Sequence, residues 1–323
     1  MKKPILSIDY TKPGKGVKKG SSKLFTFQNF FPLLKRKIWG LIKVNLLWLV
    51  VNFPLLVGFF ALSGWFDYSF STPSDPLWAI LSGIETLSGQ SPELAALMGT
   101  AGVQMTMSRY GTVTLILFGV AALAVFTFGL ANTGMAYILR GYTKEEYVDM
   151  PDDFFIAIKK NFGQGLLVGV LDILIVVMIM FASVFYLTNY QYSFFFSIGI
   201  FICLILGVLY TMSRFYLYPI LITFKLPVRK IFKNAFIFSI IGFKRNLVGL
   251  FGALAVIVIN LLLYWFIMPI GGLFPFFITF ALTSFITTYA AWPNIKRVMI
   301  DPYYTDKKPV DDGDGDPVFV DRG

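Results

Sequence analysis

Residues 166–187 read LLVGVLDILIVVMIMFASVFYL, twenty-two positions that carry a single charge, Asp172. Soluble proteins also bury apolar runs, so length decides the reading. An α-helix needs about 20 mostly apolar residues to cross the hydrocarbon core of a bilayer. The same test picks out five more runs, at 41–62, 112–139, 194–224, 247–268 and 273–292. Composition agrees: the 323 residues are 56% hydrophobic, 18% aromatic and only 14% charged, with a mean hydropathy of +0.70, far from a soluble average. The expected fold is an all-α integral membrane protein with six transmembrane helices.

Two further apolar stretches, 77–87 and 93–98, are too short to span. They read as interfacial or lid-like helices in an external helical loop, 63–111, each with its own start signal: Asp75 before Pro76, and Ser91 before Pro92. A short polar side chain can accept the first orphan N–H groups, and proline suits the first turn. Gly89 reads as a stop. The start of the chain is basic but lacks the apolar run of a signal peptide, so no cleavage is expected.

Orientation follows from Lys and Arg near the spans. Eleven precede or enter the first span, through Lys43. The loop after the second span has Arg140, Lys144, Lys159 and Lys160, and the loop after the fourth has Lys225, Arg229, Lys230, Lys233, Lys244 and Arg245. The other side has only Arg109. The expectation is a multi-pass plasma-membrane protein with both termini cytosolic. The net charge of +10 then reads as a topology signal and an attraction to anionic headgroups. No recognition module accompanies it, so no nucleic-acid partner is expected.

Each odd-numbered span follows a basic, aromatic segment: LFTFQNFFPLLKRKIWG, PDDFFIAIKKNFGQG and VRKIFKNAFIFSIIGFKRN. Their apolar residues recur at helical spacing, which predicts amphipathic helices lying in the cytosolic interface. Phe155 and Phe162 are seven apart, as are Phe236 and Phe243. The simplest parse is three helical hairpins, each preceded by an interfacial helix. Residues 1–23 form a basic cytosolic arm, 24–297 the membrane domain and 298–323 an acidic tail.

An ionisable residue inside a span raises a functional question by default. Asp172 in span three and Arg214 in span four lie at similar depth, about 10 and 15 Å from the cytosolic end. They are candidates for a structural ion pair or for a polar solute site. Asn45, Asn52, Asn132 and Asn260 are in-span amides of the kind that hydrogen-bond between helices. Gly165 and Gly169 form a small-xxx-small step, and Pro54, Pro219, Pro269 and Pro275 are expected to kink or end spans. Arg229, Lys230, Lys233, Phe236, Lys244 and Arg245 form the candidate docking surface for a partner or for lipid.

There is no His, and the one Cys is Cys203, inside span four. This removes disulfides, zinc sites and Cys or His nucleophiles. The tail places Asp312, Asp314 and Asp316 at alternate positions, but Pro317 stands where a calcium loop needs glycine. No metal, no cofactor and no catalytic residues are expected, and nothing argues for an enzyme.

Three stretches, LIKVNLLWLVVNFPLL at 41–56, YILRGYTKEEYVDMPDDFFIAIKKNFGQGLLVG at 137–169 and YPILITFKLPVRKIFKNAFIFSIIGFKRNL at 218–247, together resemble the YesL-like membrane proteins of Firmicutes. The resemblance covers roughly residues 35–297, and the loop 63–111 is longer than that family leads one to expect. It implies a plasma-membrane protein without assigned molecular activity, linked by gene neighbourhood to carbohydrate transport through ATP-driven oligosaccharide importers. The first expectation is therefore an accessory subunit or assembly partner of such an ABC importer. The alternatives are a small-solute transporter or channel with a polar path at Asp172 and Arg214, possible as a homo-oligomer, and an organiser of anionic lipid.

Overall fold

The computed structural model describes residues 25–73 and 75–302. The basic arm and most of the acidic tail, with Asp312, Asp314 and Asp316, lie outside the described residues. The chain is an all-α membrane protein with five apolar helical segments of spanning length, or six when a bent helix pair is counted as one span.

The bent pair is the first departure from the sequence reading. Span one is not a single helix over 41–62, and its lead-in is not a separate interfacial helix. Instead α1 (Phe27–Val51) runs unbroken from lead-in into span, and α2 (Phe53–Leu62) turns away from it by 72°. The cause is Pro54, which has no N–H to give the Val50 carbonyl. The neighbouring Asn52 is fully buried at the corner and accepts a hydrogen bond from Thr127 Oγ1 at 3.0 Å.

The excursion between the first two spans contains more than helices. Strands β1 (Tyr68–Pro73) and β2 (Gln104–Arg109) pair antiparallel and bracket α3 (Leu77–Ser88) and α4 (Pro92–Ala101). Phe70 stands opposite Met107 and Thr72 opposite Met105, so the period-two alternation of YSFSTP and QMTMSR sets the register. Asp75 Oδ1 accepts from Leu77 N–H at 2.9 Å and Ser91 Oγ from Leu94 N–H at 3.1 Å. Gly89 ends α3 with φ at +79°, a conformation that favours glycine. At the base of the ribbon, Asp67 Oδ1 accepts from Thr114 Oγ1 at 2.7 Å and from Gly111 N–H at 3.3 Å.

The second span joins α5 (Thr112–Ala121) to α6 (Ala124–Lys144) through a turn at 122–123. The short helix α7 (Asp152–Lys160) then leads into α8 (Phe162–Asn189), and α9 (Phe194–Thr223) returns. Next, α10 (Val228–Ile241) leads into α11 (Phe243–Phe266). The last span assembles α12 (Met268–Phe274), a π-helical turn at Pro275–Thr279 and α13 (Phe280–Ile295). At 30 residues, α9 is about 45 Å long, more than the hydrocarbon core requires.

Helices α6, α9 and α13 touch one another and form the centre of the bundle. Each lead-in packs on one of them. Phe154 of α7 fills the space beside Gly134 of α6, Phe238 of α10 stacks on Tyr216 of α9 at 5.2 Å, and Phe30 of α1 stacks on Phe285 of α13 at 5.7 Å. The aligned buried positions of α7 and α10 exchange bulk: Phe154 and Ala157 in one become Ala235 and Phe238 in the other. Buried residues concentrate in the C-terminal halves of α6, α9 and α13, the basic end of the bundle. At the opposite end α8, α9 and α11 expose large apolar residues such as Phe181, Phe195 and Trp265. Lipid tails are as apolar as these side chains, so nothing drives them inward.

Gly165 and Gly169 of α8 make their close approach to Gly129 of α6, where a Cβ would collide with backbone atoms of both. Backbone cannot yield as a side-chain tip can. Gly129→Leu is expected to destabilise the protein by about 3 kcal/mol or more, read as a lower unfolding temperature in detergent. Gly119→Leu, on the same span with open space around its Cα, should leave that temperature unchanged.

Candidate functional site

Tyr210, Arg214 and Tyr218 recur every fourth residue of α9 and therefore share one face. That face meets Asp172 of α8, which has no exposed surface. Tyr210 donates its hydroxyl to Oδ1 at 2.8 Å, Tyr218 donates to Oδ2 at 3.1 Å, and Arg214 Nε lies 2.9 Å from Oδ1 and 3.1 Å from Oδ2. The structure thus brings Asp172 and Arg214 together and adds two hydroxyls. A buried carboxylate persists only with a counter-charge and satisfied lone pairs, and all of these come from one helix.

Arg214 engages the carboxylate through Nε alone. Its side chain keeps 34% of its surface, and the guanidinium carbon lies 5.8 Å from the centre of the Phe128 ring. Nη1 and Nη2 have no hydrogen-bond partner among the described residues. Arg214 borders an open cavity of about 270 Å³ lined by α6, α9, α11 and α13. Besides Arg214, the polar part of its wall is Asn132, Thr211 and Tyr218 with Thr283, Ser284, Thr287 and Thr288 of α13. The arrangement offers unengaged charged donors beside a ring of hydroxyls, inside the membrane-spanning part of the bundle.

The in-span amides hold the walls. Asn45 Nδ2 donates to the carbonyls of Pro275 and Phe276 at 2.9 and 2.7 Å, while its Oδ1 accepts from Ala281 N–H at 2.9 Å. It thereby satisfies backbone groups that the π-helical turn leaves free, as lipid-depth backbone requires. Asn132 Oδ1 accepts from Trp48 Nε1 at 2.9 Å, and Asn260 Nδ2 donates to Thr279 Oγ1 at 2.8 Å. The sequence reading missed a further cluster, in which Tyr216 donates to Asn246 Oδ1 and accepts from Asn294 Nδ2 at 2.8 Å. Asn246 also donates to the carbonyls of Phe238 and Ser239 at 3.0 Å, closing the end of α10.

The docking candidates do not form one uniform surface. Arg229, Lys230 and Lys233 are exposed near the start of α10, and Phe236 is exposed further along, while Ile231, Ala235, Phe238 and Ser239 are buried. Lys244 is exposed, but Arg245 turns inward and donates to the Phe25 carbonyl at 2.8 Å.

Residues 109–183 match the model of a family described as a protein of unknown function, DUF624. That segment includes Asp172 and ends before Arg214. The chain matches no curated protein and no solved structure.

Removing either partner leaves the other charge uncompensated, so Asp172→Asn and Arg214→Met are each expected to destabilise by about 3 kcal/mol. The double variant should recover much of the loss. Thermal unfolding of all four proteins in one detergent checks this, and strictly additive losses would rule out a coupled pair.

Proposed function

We propose that this chain is a six-span plasma-membrane protein of the YesL-like kind that binds a small oxyanion-bearing, hydroxylated solute within the bilayer. The observation that carries this reading is the unengaged Nη1 and Nη2 of Arg214 at the cavity wall. A guanidinium fork matches a carboxylate or similar oxyanion through two parallel hydrogen bonds. Nearby hydroxyls suit a solute's own hydroxyl groups, and the volume of about 270 Å³ limits it to a small molecule. Asp172 holds the guanidinium in place and lowers the local charge, which favours reversible binding over trapping.

In this reading the chain comprises three hairpins with both termini cytosolic. The Lys and Arg bias supports the orientation. A cyclic set of contacts supports the hairpins: Arg36 Nη2 donates to Glu145 ahead of α7, Gln164 Nε2 to the Leu226 carbonyl ahead of α10, and Arg245 Nη2 to the Phe25 carbonyl ahead of α1. Each hairpin thereby reaches the lead-in of the next.

Ser284→Leu places an apolar side chain in the cavity without touching Asp172 or Arg214. It should abolish stabilisation of the purified protein by small carboxylates and sugar acids and abolish their flux into proteoliposomes, with the unfolding temperature kept. A folded wild-type protein that neither binds nor moves any of them would overturn the proposal.

A second reading, an accessory partner of an ATP-driven oligosaccharide importer, draws on the resemblance and on the exposed Arg229, Lys230, Lys233 and Phe236 of α10. It expects importer subunits to copurify from native membranes in near-equal amount. Substituting Arg229, Lys230 and Lys233 together with Gln should release them; recovery of the chain alone would remove this reading.

A further inference from the structure

A second and larger cavity, of about 800 Å³, lies at the basic end of the bundle, beyond the first. The two share helices: Leu139 and Pro219 border the first, Arg140 and Thr223 the second. Three cations border the larger one, Arg140, Lys144 and Lys296, and among the described residues its lining contains no carboxylate. The remaining wall is mostly apolar, including Phe224, Trp292 and Met299.

The charges are poorly compensated. Arg140 Nη1 donates to two neutral oxygens, the Ile222 carbonyl at 3.3 Å and Thr223 Oγ1 at 3.1 Å, and its Nε is buried without an acceptor. The Tyr137 ring lies 4.9 Å from the guanidinium, and no carboxylate pairs with it among the described residues. Lys144 is paired with Glu146 and also lies 5.8 Å from the centre of the Trp292 ring. Lys296 has no ion-pair partner among the described residues. Glu146 pairs with Lys144 and acts at longer range on Arg140, so the three cations at this cavity keep an excess of two positive charges among the described residues.

We infer that this cavity is a binding site for a phosphate ester, held at its phosphate by Arg140, Lys144 and Lys296 and along its organic part by Trp292 and the apolar wall. A phosphate monoester carries between one and two negative charges near neutral pH, which matches the excess. A guanidinium and two ammonium groups on one cavity wall can supply charged donors to its oxygens. The cavity exceeds what inorganic phosphate fills, so the site takes an organic body as well. Such a ligand has two sources, a soluble phosphorylated metabolite or an anionic lipid headgroup entering from the membrane face.

The full chain, purified in uncharged detergent, would be titrated by calorimetry with inorganic phosphate, glucose 6-phosphate and dihexanoyl phosphatidic acid. Saturable binding of an ester, tighter than inorganic phosphate, is expected. Binding should weaken about tenfold in Lys296→Gln and in Arg140→Lys, the loss of one charge-assisted hydrogen bond. Lys233→Gln, exposed on α10, serves as the control and should bind as the parent does. The Lys296 side chain is exposed and has no hydrogen-bond or ion-pair partner among the described residues, so that variant is expected to keep the parent unfolding temperature and tests the site apart from the fold. Binding of the sugar ester alone assigns the soluble source, and binding of the lipid alone assigns the leaflet. No saturable binding of any probe, or binding that both variants leave unchanged, overturns the inference.

Discussion

A carboxylate with no exposed surface inside a membrane-spanning helix has to be neutralised where it stands. Asp172 meets that demand with Tyr210, Arg214 and Tyr218, all from one face of α9. Sliding α9 by one residue along α8 would turn that face away by about 100° and strand the charge. The interaction therefore fixes register where apolar packing cannot, because lipid satisfies leucine as well as protein does. It also holds Arg214 at the border of the cavity between α6, α9, α11 and α13. What stabilises the α8–α9 contact and what furnishes the polar cavity are two sides of one cation.

The same logic recurs away from the pair. Asn45 holds the π-helical turn before α13, and Tyr216, Asn246 and Asn294 link α9, α11 and α13. Glycine contacts bring α6 against α8. Aromatic side chains do the rest at the basic end, one from each lead-in onto one central helix. The exchange of Phe and Ala between α7 and α10 keeps the buried volume of each contact while moving it by one helical turn, a compensation that close packing requires.

The spans were legible because their length and apolarity are set by the bilayer rather than by neighbours. Asp172 and Arg214 stood out for the same reason, as charges where lipid tolerates few. Tyr210 and Tyr218 were missed, although their fourfold spacing about Arg214 was in view; a tyrosine in an aromatic-rich span carries no cost signal until its hydroxyl has a partner. The ribbon of β1 and β2 had its alternation too, but each strand is short and its pairing joins residues about thirty to forty apart. The bend at Asn52 was signalled by Pro54, whereas its angle depends on packing against α5. The basic cavity was beyond sequence reasoning: Arg140, Lys144 and Lys296 come from two helices whose meeting only the fold supplies.

The first two spans are each jointed, the first at Asn52 and the second at Ala122–Leu123. Between those joints α2 and α5 pack on each other and carry the ribbon and its two short helices. A jointed pair of struts transmits load as rotation instead of translation. Force applied to the ribbon would arrive as torque at Asn52, whose contact with Thr127 ties the corner to α6, a helix that borders both cavities.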